Sequence, residues 1–362
     1  MTQTDAFIAG GGPAGLAAAI AIRGKGFSVM LADHAIPPID KACGEGLMPD
    51  SIAALKTLGV EISSEDGAGI RGIRFLDNDT AVAADFATGA GMAVRRTVLH
   101  KRLVSRAAEL GVEMIWGAKR VSLDAGCPVV DGSKISSRFI VGADGLKSTF
   151  RDQAGLSAAR YQATRFGFRR HFQTLPWSNY VEIYWGRKAQ IFLAPTGMRE
   201  VALAVLSPNA TTRVGDSLEE FPALRDRLKS CAPTSSERGA ITITRRLRRV
   251  TRSNVALIGD ASGSVDSITG QGMCLAFRQA LALADSIAEG SLKNYQRRHE
   301  AINRRARVMT RLMLLLAHYP RLRRRILRVF ASEPELFAKL LAIHVGEGSF
   351  GDLGARDLLY FA

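Results

Sequence analysis

Three glycines near the start of the chain, Gly10, Gly12 and Gly15, stand in the spacing Gly-x-Gly-x-x-Gly. An apolar run, Asp5–Ala9, precedes them, and a small-residue run from Leu16 to about Gly24 follows. Each glycine has a physical use. Gly10 permits a tight turn, Gly12 lets backbone approach a pyrophosphate, and Gly15 lets a helix pack closely on the strand before it, so the helix N-terminus faces the phosphates. Ala14 lies in the same turn. A second apolar run, Phe27–Ala32, ends at Asp33, which is placed to accept from a ribose hydroxyl. A strand–turn–helix–strand unit of about thirty residues, closed by an acid, is the context that dinucleotide binding requires. The competing reading is an incidental glycine-rich turn.

Two later stretches repeat an aspartate beside glycines at the end of an apolar run. One is Val141-Gly-Ala-Asp144-Gly145. The other is Leu257-Ile-Gly259-Asp260, followed by Thr269-Gly270-Gln-Gly272-Met273. Either alone reads equally as a solvated turn. Further candidates for chemistry sit outside these motifs. Cys43, Gly44 and Glu45 fall in the loop Lys41–Pro49, His171 follows Arg169 and Arg170, and Tyr184 stands among Phe172, Trp185 and Phe192. Cys43 reads as a thiol lining a site or as a small loop residue. Glu45 reads as a proton carrier or a polar loop residue. His171 could act as an acid–base group, orient a phenolate, or simply be hydrogen-bonded. Tyr184 could line an aromatic pocket, although strand alternation allows only half of these aromatics to face it. The six histidines and four cysteines show no HxxxH, HExxH or CxxC spacing, so no metal is expected.

The elements that must position these residues follow from periodicity. Asp50–Leu58 and Thr97–Leu110 read as helices, Gly111 ending the second. Phe139–Gly142 and Val255–Ile258 read as short buried strands, and Gly272–Glu289 as a helix. Residues 155–245 alternate like antiparallel strands. The expected fold class is α/β. A Rossmann-like domain from 1–75, 95–154 and 246–290 is interleaved with an antiparallel-sheet substrate domain from 76–94 and 155–245. A basic helical C-terminal region follows over 291–362.

In this order the glycine fingerprint, the Asp144-Gly145 pair and the Gly259-Asp260 pair resemble the FAD-dependent aromatic hydroxylase superfamily, which also contains the geranylgeranyl reductases. The resemblance covers about residues 5–290. It implies FAD as the cofactor, with Asp260 at its ribityl or pyrophosphate portion. The helix after Gly272 would point at the isoalloxazine, where its positive end stabilises an anionic reduced flavin. Arg96 matches an arginine that the family uses near the cofactor, and Val121 is counted with it. The loop Cys43-Gly44-Glu45-Gly46-Leu-Met-Pro49 is similar to the CGxG loop of the reductases, set against the flavin ring. Ser262-Gly263, where many hydroxylases carry a histidine, is also reductase-like. The reductases' YxWxFP signature has only a loose echo in Tyr184-Trp185 and Phe192–Pro195. The loop together with Arg169-Arg-His-Phe resembles a subgroup of FAD-dependent monooxygenases or flavin dehydrogenases. The resemblance thus implies an FAD-dependent oxidoreductase of secondary metabolism. The favoured form is a monooxygenase of an aromatic or polyketide-like compound acting through a flavin hydroperoxide. An ene-reductase of alkene bonds in a lipophilic substrate stands second, and a non-catalytic flavin-binding electron carrier third. With one fingerprint only, NAD(P)H would dock transiently as donor.

Charge separates the remaining partner classes. The formal net charge is +15, yet thirteen Lys or Arg against three Glu fall between Lys293 and Lys339. The excess therefore belongs to one C-terminal element and is not a distributed nucleic-acid footprint. Within it, Leu312–Ala317 and Arg321–Arg325 flank Pro320. This element reads as an amphipathic surface for an anionic membrane, or as a cap on the flavin domain with a solvated basic face. The cap is favoured. The widely spaced cysteines and the short apolar run Ala14–Ile22, without a basic flank, give a cytoplasmic expectation, with peripheral contact at the inner face of the membrane as an option.

Overall fold

The computed structural model describes residues 2–77, 80–354, 357 and 360, without the side chains of 161 and 162. Small parts of the expected substrate domain (78–79) and of the expected C-terminal region lie outside the described residues.

Apolar runs with no polar alternation belong in a sheet covered on both faces. They form one here. Its path is β17 (Thr251–Arg252), β18 (Val255–Leu257), β11 (Ser133–Gly142), β1 (Thr2–Ala9), β2 (Val29–Asp33) and β8 (Glu113–Trp116), with β9 (Val121–Asp124) and β10 (Cys127–Val130) as a hairpin on β11. β1 runs parallel to β2 and β11, and β11 parallel to β18. Ala9 pairs with Ala32 and with Gly142, and Gly142 pairs with Leu257. This register brings the C-terminal ends of four strands to one edge, where open α/β sheets bind their ligands. Helix α1 (Pro13–Gly24) packs on α7 (Gly272–Ala288) through a face of alanines, and α3 (Arg96–Glu109) lies beside α1.

The second sheet has the order β19 (Gly263–Ser264), β16 (Arg238–Leu247), β12 (Ala159–Gln173), β15 (Glu200–Ser207), β14 (Gln190–Gly197), β13 (Tyr180–Trp185), β5 (Gly72–Asp77) and β6 (Thr80–Asp85). Every pairing is antiparallel except β13 with β5. The boundaries expected at residues 75 and 246 therefore fall inside β5 and β16. β19 also joins this sheet from within the stretch assigned to the flavin domain. A third sheet of β3 (Gly46–Leu47), β7 (Gly91–Val94) and β4 (Gly67–Ile70) was not expected. Strands of two to four residues are too short to show a period.

The other helices are α2 (Pro49–Thr57), α4 (Thr149–Gln153), α5 (Val214–Leu218), α6 (Pro222–Leu228), α8 (Leu292–His318), α9 (Pro320–Ser332) and α10 (Pro334–Val345). Pro320 and Pro334 each stand in the first turn of a helix, where the missing N–H costs nothing. The C-terminal helices are a cap, but not on the flavin domain alone. α8 packs on α7, while α9 and α10 cover β6 of the second sheet. Ile326, Leu327, Phe330 and Phe337 join Phe75, Val82 and Trp185 in one apolar cluster. Arg323, on the inner face of α9, is buried against Asp77 of β5 at 2.7 Å. Among the described residues no helix is long and apolar enough to cross a membrane.

Two expectations follow. Asp77→Ala leaves the Arg323 guanidinium buried and unpaired, so stability should fall by about 3–5 kcal/mol. Urea unfolding measures this, and a loss no larger than that of an exposed Asp→Ala control would show that the pair does not hold the cap. Acid should also loosen the C-terminal helices. Burial, aided by Arg307, pulls His299 of α8 down to about 3. Burial likewise pulls His344 of α10 down to about 4 from an unfolded value of 6.5. Both are neutral in the fold. Their stabilisation is present above pH 6.5 and is lost as pH falls toward the folded values. The slope is roughly 1 kcal/mol per pH unit for each near pH 5.3. His344→Gln should remove one such slope, read from unfolding curves at pH 7 and pH 5.

Candidate active site

A cavity of about 790 Å³ opens where the strand ends of the first sheet meet the face of the second. Every position expected to contact the cofactor lines it except Gly15. Gly15 sits behind the turn, and its spacing is steric. A Cβ on Gly15 would lie 1.8 Å from the Gly10 carbonyl oxygen, and one on Gly10 (φ +109°) 2.4 Å from that of Ala143. A Cβ on Gly12 meets no protein atom within 4 Å. The turn is thus closed against the protein at two glycines and open toward the cavity at the third.

Two helix N-termini reach the cavity, α1 through Gly12–Ala14 and α7 through Gly272 and Met273. Neither carries a side-chain cap or an acid in its first turn. Their free N–H groups and positive dipole ends are left for an anion. Asp33 accepts from the Gly11 N–H at 2.5 Å and from the Ala35 N–H at 2.7 Å, so it first braces the glycine turn. Asp144 departs from expectation. Its carboxylate accepts from Ser148, Thr149 and the Phe150 N–H at the start of α4. The Asp144-Gly145 segment lines the cavity while the acid is spent on the helix. Asp260 meets Lys41 Nζ at 3.3 Å, tying the Lys41–Pro49 loop to the end of β18. Arg96 has a buried Nε with no partner among the described residues. An orphaned guanidinium nitrogen beside two uncapped helix ends fits a phosphate-bearing cofactor such as FAD.

The Lys41–Pro49 loop carries a buried carboxylate that meets the second sheet. Glu45 adopts φ +59°, uncommon for a residue with a Cβ, and is 1% exposed. Its Oε1 accepts from the Arg96 N–H at 2.9 Å, and its Oε2 lies 2.6 Å from His171 Nε2. Arg169 Nη1 lies 3.1 Å from His171 Nδ1. Arginine can only donate, so Nδ1 accepts and the imidazole proton sits on Nε2, aimed at Glu45. Ser235 Oγ holds Nδ1 from the other side at 2.8 Å. Arg169 also pairs with Asp40, which Arg238 approaches at 3.4 Å. Glu45 and Arg169 line the cavity; His171 stands behind Glu45 and is not on the wall. Cys43 is on the wall, and its Sγ accepts from the Glu45 N–H at 3.3 Å.

Tyr184 does not belong to this constellation. Val181 and Ile183 of β13 face the cavity, so Tyr184 points to the opposite side of the sheet. Its hydroxyl donates to Glu182 at 2.7 Å and its ring packs on Phe221. Burial and the Glu182 charge push the phenol well above its ordinary value. Phe172 and Trp185 are likewise core, whereas Phe192 and Phe168 are on the wall. Sequence reasoning missed Asp40, Ser235 and Asn303 of the cavity surroundings. Arg169 could have been found, because it shares a strand face with His171 two residues on. Asp40 and Ser235 lie in loops far apart in the chain and carry no such signal.

The glycines give a split prediction. Gly12→Ala should change the unfolding free energy of the apo-protein by about 1 kcal/mol or less while weakening FAD retention. Gly15→Ala should destabilise the apo-protein itself by about 3 kcal/mol. Thermal unfolding of flavin-free protein and fluorescence titration with FAD separate the two; equal loss of fold in both variants contradicts the geometry.

Comparison with known proteins agrees with this construction. Residues 3–311 match the family described as FAD binding domain. Menaquinone reductase of Mycobacterium tuberculosis is 28% identical over 298 residues, covering 75% of this chain and 73% of that one. YetM of Bacillus subtilis, proposed to be an FAD-dependent monooxygenase, is 26% identical over 332 residues, covering 80% and 88%. The flavin-dependent brominase Bmp2 superposes with a TM-score of 0.83 at 17% identity, over 99% of this chain and 98% of that one, which is a likeness of fold. The chain belongs to the FAD-binding domain family and is an FAD-dependent oxidoreductase of the monooxygenase and reductase superfamily.

Proposed function

We propose that the protein is a monooxygenase of a compact aromatic or polyketide-like molecule. The carrying observation is the size of the cavity. One space of about 790 Å³ must receive both FAD and substrate, and the pocket of a single drug-sized ligand spans about 300–1,000 Å³. What remains beside the flavin suits a ring system better than an extended chain. The substrate side of the wall is mostly apolar, with Val181, Ile183, Phe192 and Ile241, and its few polar groups include Arg169, Thr242 and Ser267. Such a surface selects a flat, lipophilic molecule with one or two polar handles.

FAD, when bound, supplies the electron transfer and the activation of oxygen. NAD(P)H is the donor in this reading, docking transiently. The chain's own contribution is orientation and proton handling. The N-terminus of α1 takes the pyrophosphate, and that of α7 stabilises negative charge on the flavin. Glu45 is the acid–base group. Its Oε2 takes the proton of a substrate hydroxyl, while the His171 Nε2–H, 2.6 Å away, stabilises the carboxylate. His171 is a positioning residue, held by Arg169 and Ser235. The second sheet and the α9–α10 cap exclude water from the apolar end. Kinship with a menaquinone reductase favours a second reading, a reductase; in the alkene-reducing form expected second from the sequence, Glu45 would deliver a proton to carbon.

Turnover of a panel of alkylphenols by the holoenzyme with NAD(P)H under ¹⁸O₂ should place one labelled oxygen in the product. Turnover that proceeds without oxygen and adds two hydrogens would overturn this reading in favour of the reductase. Glu45→Gln should lower kcat by about 10²–10⁴-fold with flavin content retained. His171→Asn should act less severely and shift the pH profile of kcat, and Tyr184→Phe should leave kcat unchanged.

A further inference from the structure

We propose that the corner between α8 and α9 docks on an anionic membrane surface, with Leu312, Leu315, Tyr319 and Leu322 in the interfacial layer and the flanking arginines on the lipid headgroups. The four apolar residues are 36–53% exposed. Of nine exposed large hydrophobics among the described residues, these four fall within eleven consecutive positions, so they form a patch and are not scattered. Leu312 and Leu315 share one face of α8 by their spacing of three, Tyr319 follows at the end of the helix, and Pro320 then turns the chain so that Leu322 falls in the first turn of α9.

The charge around this patch is clustered and of one sign. Arg311, Arg321, Arg324, Arg325 and Arg328 are exposed, and none has an acidic partner within 4.0 Å among the described residues. Other exposed arginines, such as Arg120, Arg160 and Arg199, also lack an acidic partner within 4.0 Å among the described residues, but these five flank one exposed apolar patch. On α9 the positions 321, 324, 325 and 328 lie on one face. The opposite face, with Arg323, Ile326, Leu327 and Phe330, is buried. The helix is therefore anchored inward and offers its cationic side outward.

Charge complementarity selects the occupant. A second copy of the same face would bring arginines against arginines. A nucleic acid would take the arginines and leave the leucines in water. A bilayer containing anionic lipid accommodates both, and a tyrosine suits its boundary. The same helices share one apolar cluster with Ile183 and Ile268 of the cavity wall, so the docking side and the site are built on common packing. The proposal is independent of whether the flavin oxygenates or reduces.

The test is co-sedimentation of the purified holoenzyme with vesicles of phosphatidylcholine alone or mixed with phosphatidylglycerol. Binding should require the anionic lipid and weaken as salt rises. Each arginine removed should lower partitioning about fivefold, so Arg321→Glu/Arg324→Glu/Arg325→Glu should lose about 100-fold or more. Leu315→Ser/Leu322→Ser should lose about tenfold. Both variants alter only exposed side chains, and flavin content and unfolding temperature check that they fold. No binding to mixed vesicles at low salt would overturn the proposal. So would equal binding to phosphatidylcholine, wild-type binding by the leucine variant, or a dimer that the leucine variant disrupts without any vesicle binding.

Discussion

The close approach of α1 to the end of β1 sets the geometry on which the rest depends. Gly15 brings the helix against the Gly10 carbonyl, and Gly10 in turn leaves room for the Ala143 carbonyl of the neighbouring strand end. With these contacts made, the parallel register of β1, β2, β11 and β18 lines up four strand ends. The helix N-terminus then points across them. No side chain has to reach for the phosphate, because backbone N–H groups and the helix dipole do that work wherever the turn is tight enough. Any Cβ at Gly10 or Gly15 would move the helix outward and dissolve the arrangement.

The second constraint is electrostatic, and it joins the two large sheets. Glu45 belongs to the loop after the first β–α–β unit, and His171 and Arg169 to the second sheet. Burying a carboxylate, an imidazole and a guanidinium group is costly unless each finds partners. Here each does. Glu45 takes the Arg96 N–H and His171, while Arg169 takes Asp40 and His171. The network fixes how the second sheet sits over the loop, and it accounts for the left-handed backbone at Glu45. A left-handed residue there turns the carboxylate toward His171 while its main chain feeds the third sheet, whose β7 pairs with β3.

Particular residues mark what the sequence made legible. The glycine spacing and Asp33 announce themselves because a helix packed on a strand imposes them over a short stretch of chain. Glu45 and His171 were visible as residue types, but not as a pair, since 126 positions separate them. Tyr184 was misplaced because an aromatic on a strand has two faces to choose from, and the sheet that decides is assembled from distant segments. Asp144 is a different case. An aspartate before a glycine at a strand end can serve a ligand or a helix start, and here it lines the cavity while its carboxylate accepts from Ser148 and Thr149 at the start of α4. The domain boundaries expected at 75 and 246 fall within β5 and β16 for a related reason, as each strand spans segments that composition alone cannot divide.

The basic C-terminal helices show how one stretch can answer two demands. Its inward residues, Arg323 among them, follow helical spacing and lock against Asp77 and the apolar cluster of β5 and β6. Gln271, at the N-terminus of α7, donates to the His344 carbonyl at 2.6 Å, and His344 donates to the Thr269 carbonyl at 3.1 Å. The last helix thereby braces the turn that lines the cavity through Gly270 and Gly272. The turn is also held by Asp266, which accepts from the Ile268 N–H and from Thr269, by the Gly270 N–H on the Ser267 carbonyl, and by Thr242 and Arg165 of the second sheet; the C-terminal helix adds its two bonds to these. The charge that made this region conspicuous in the sequence is therefore borne by its outer face. Its inner face acts on the flavin site through neutral, buried groups that composition does not reveal.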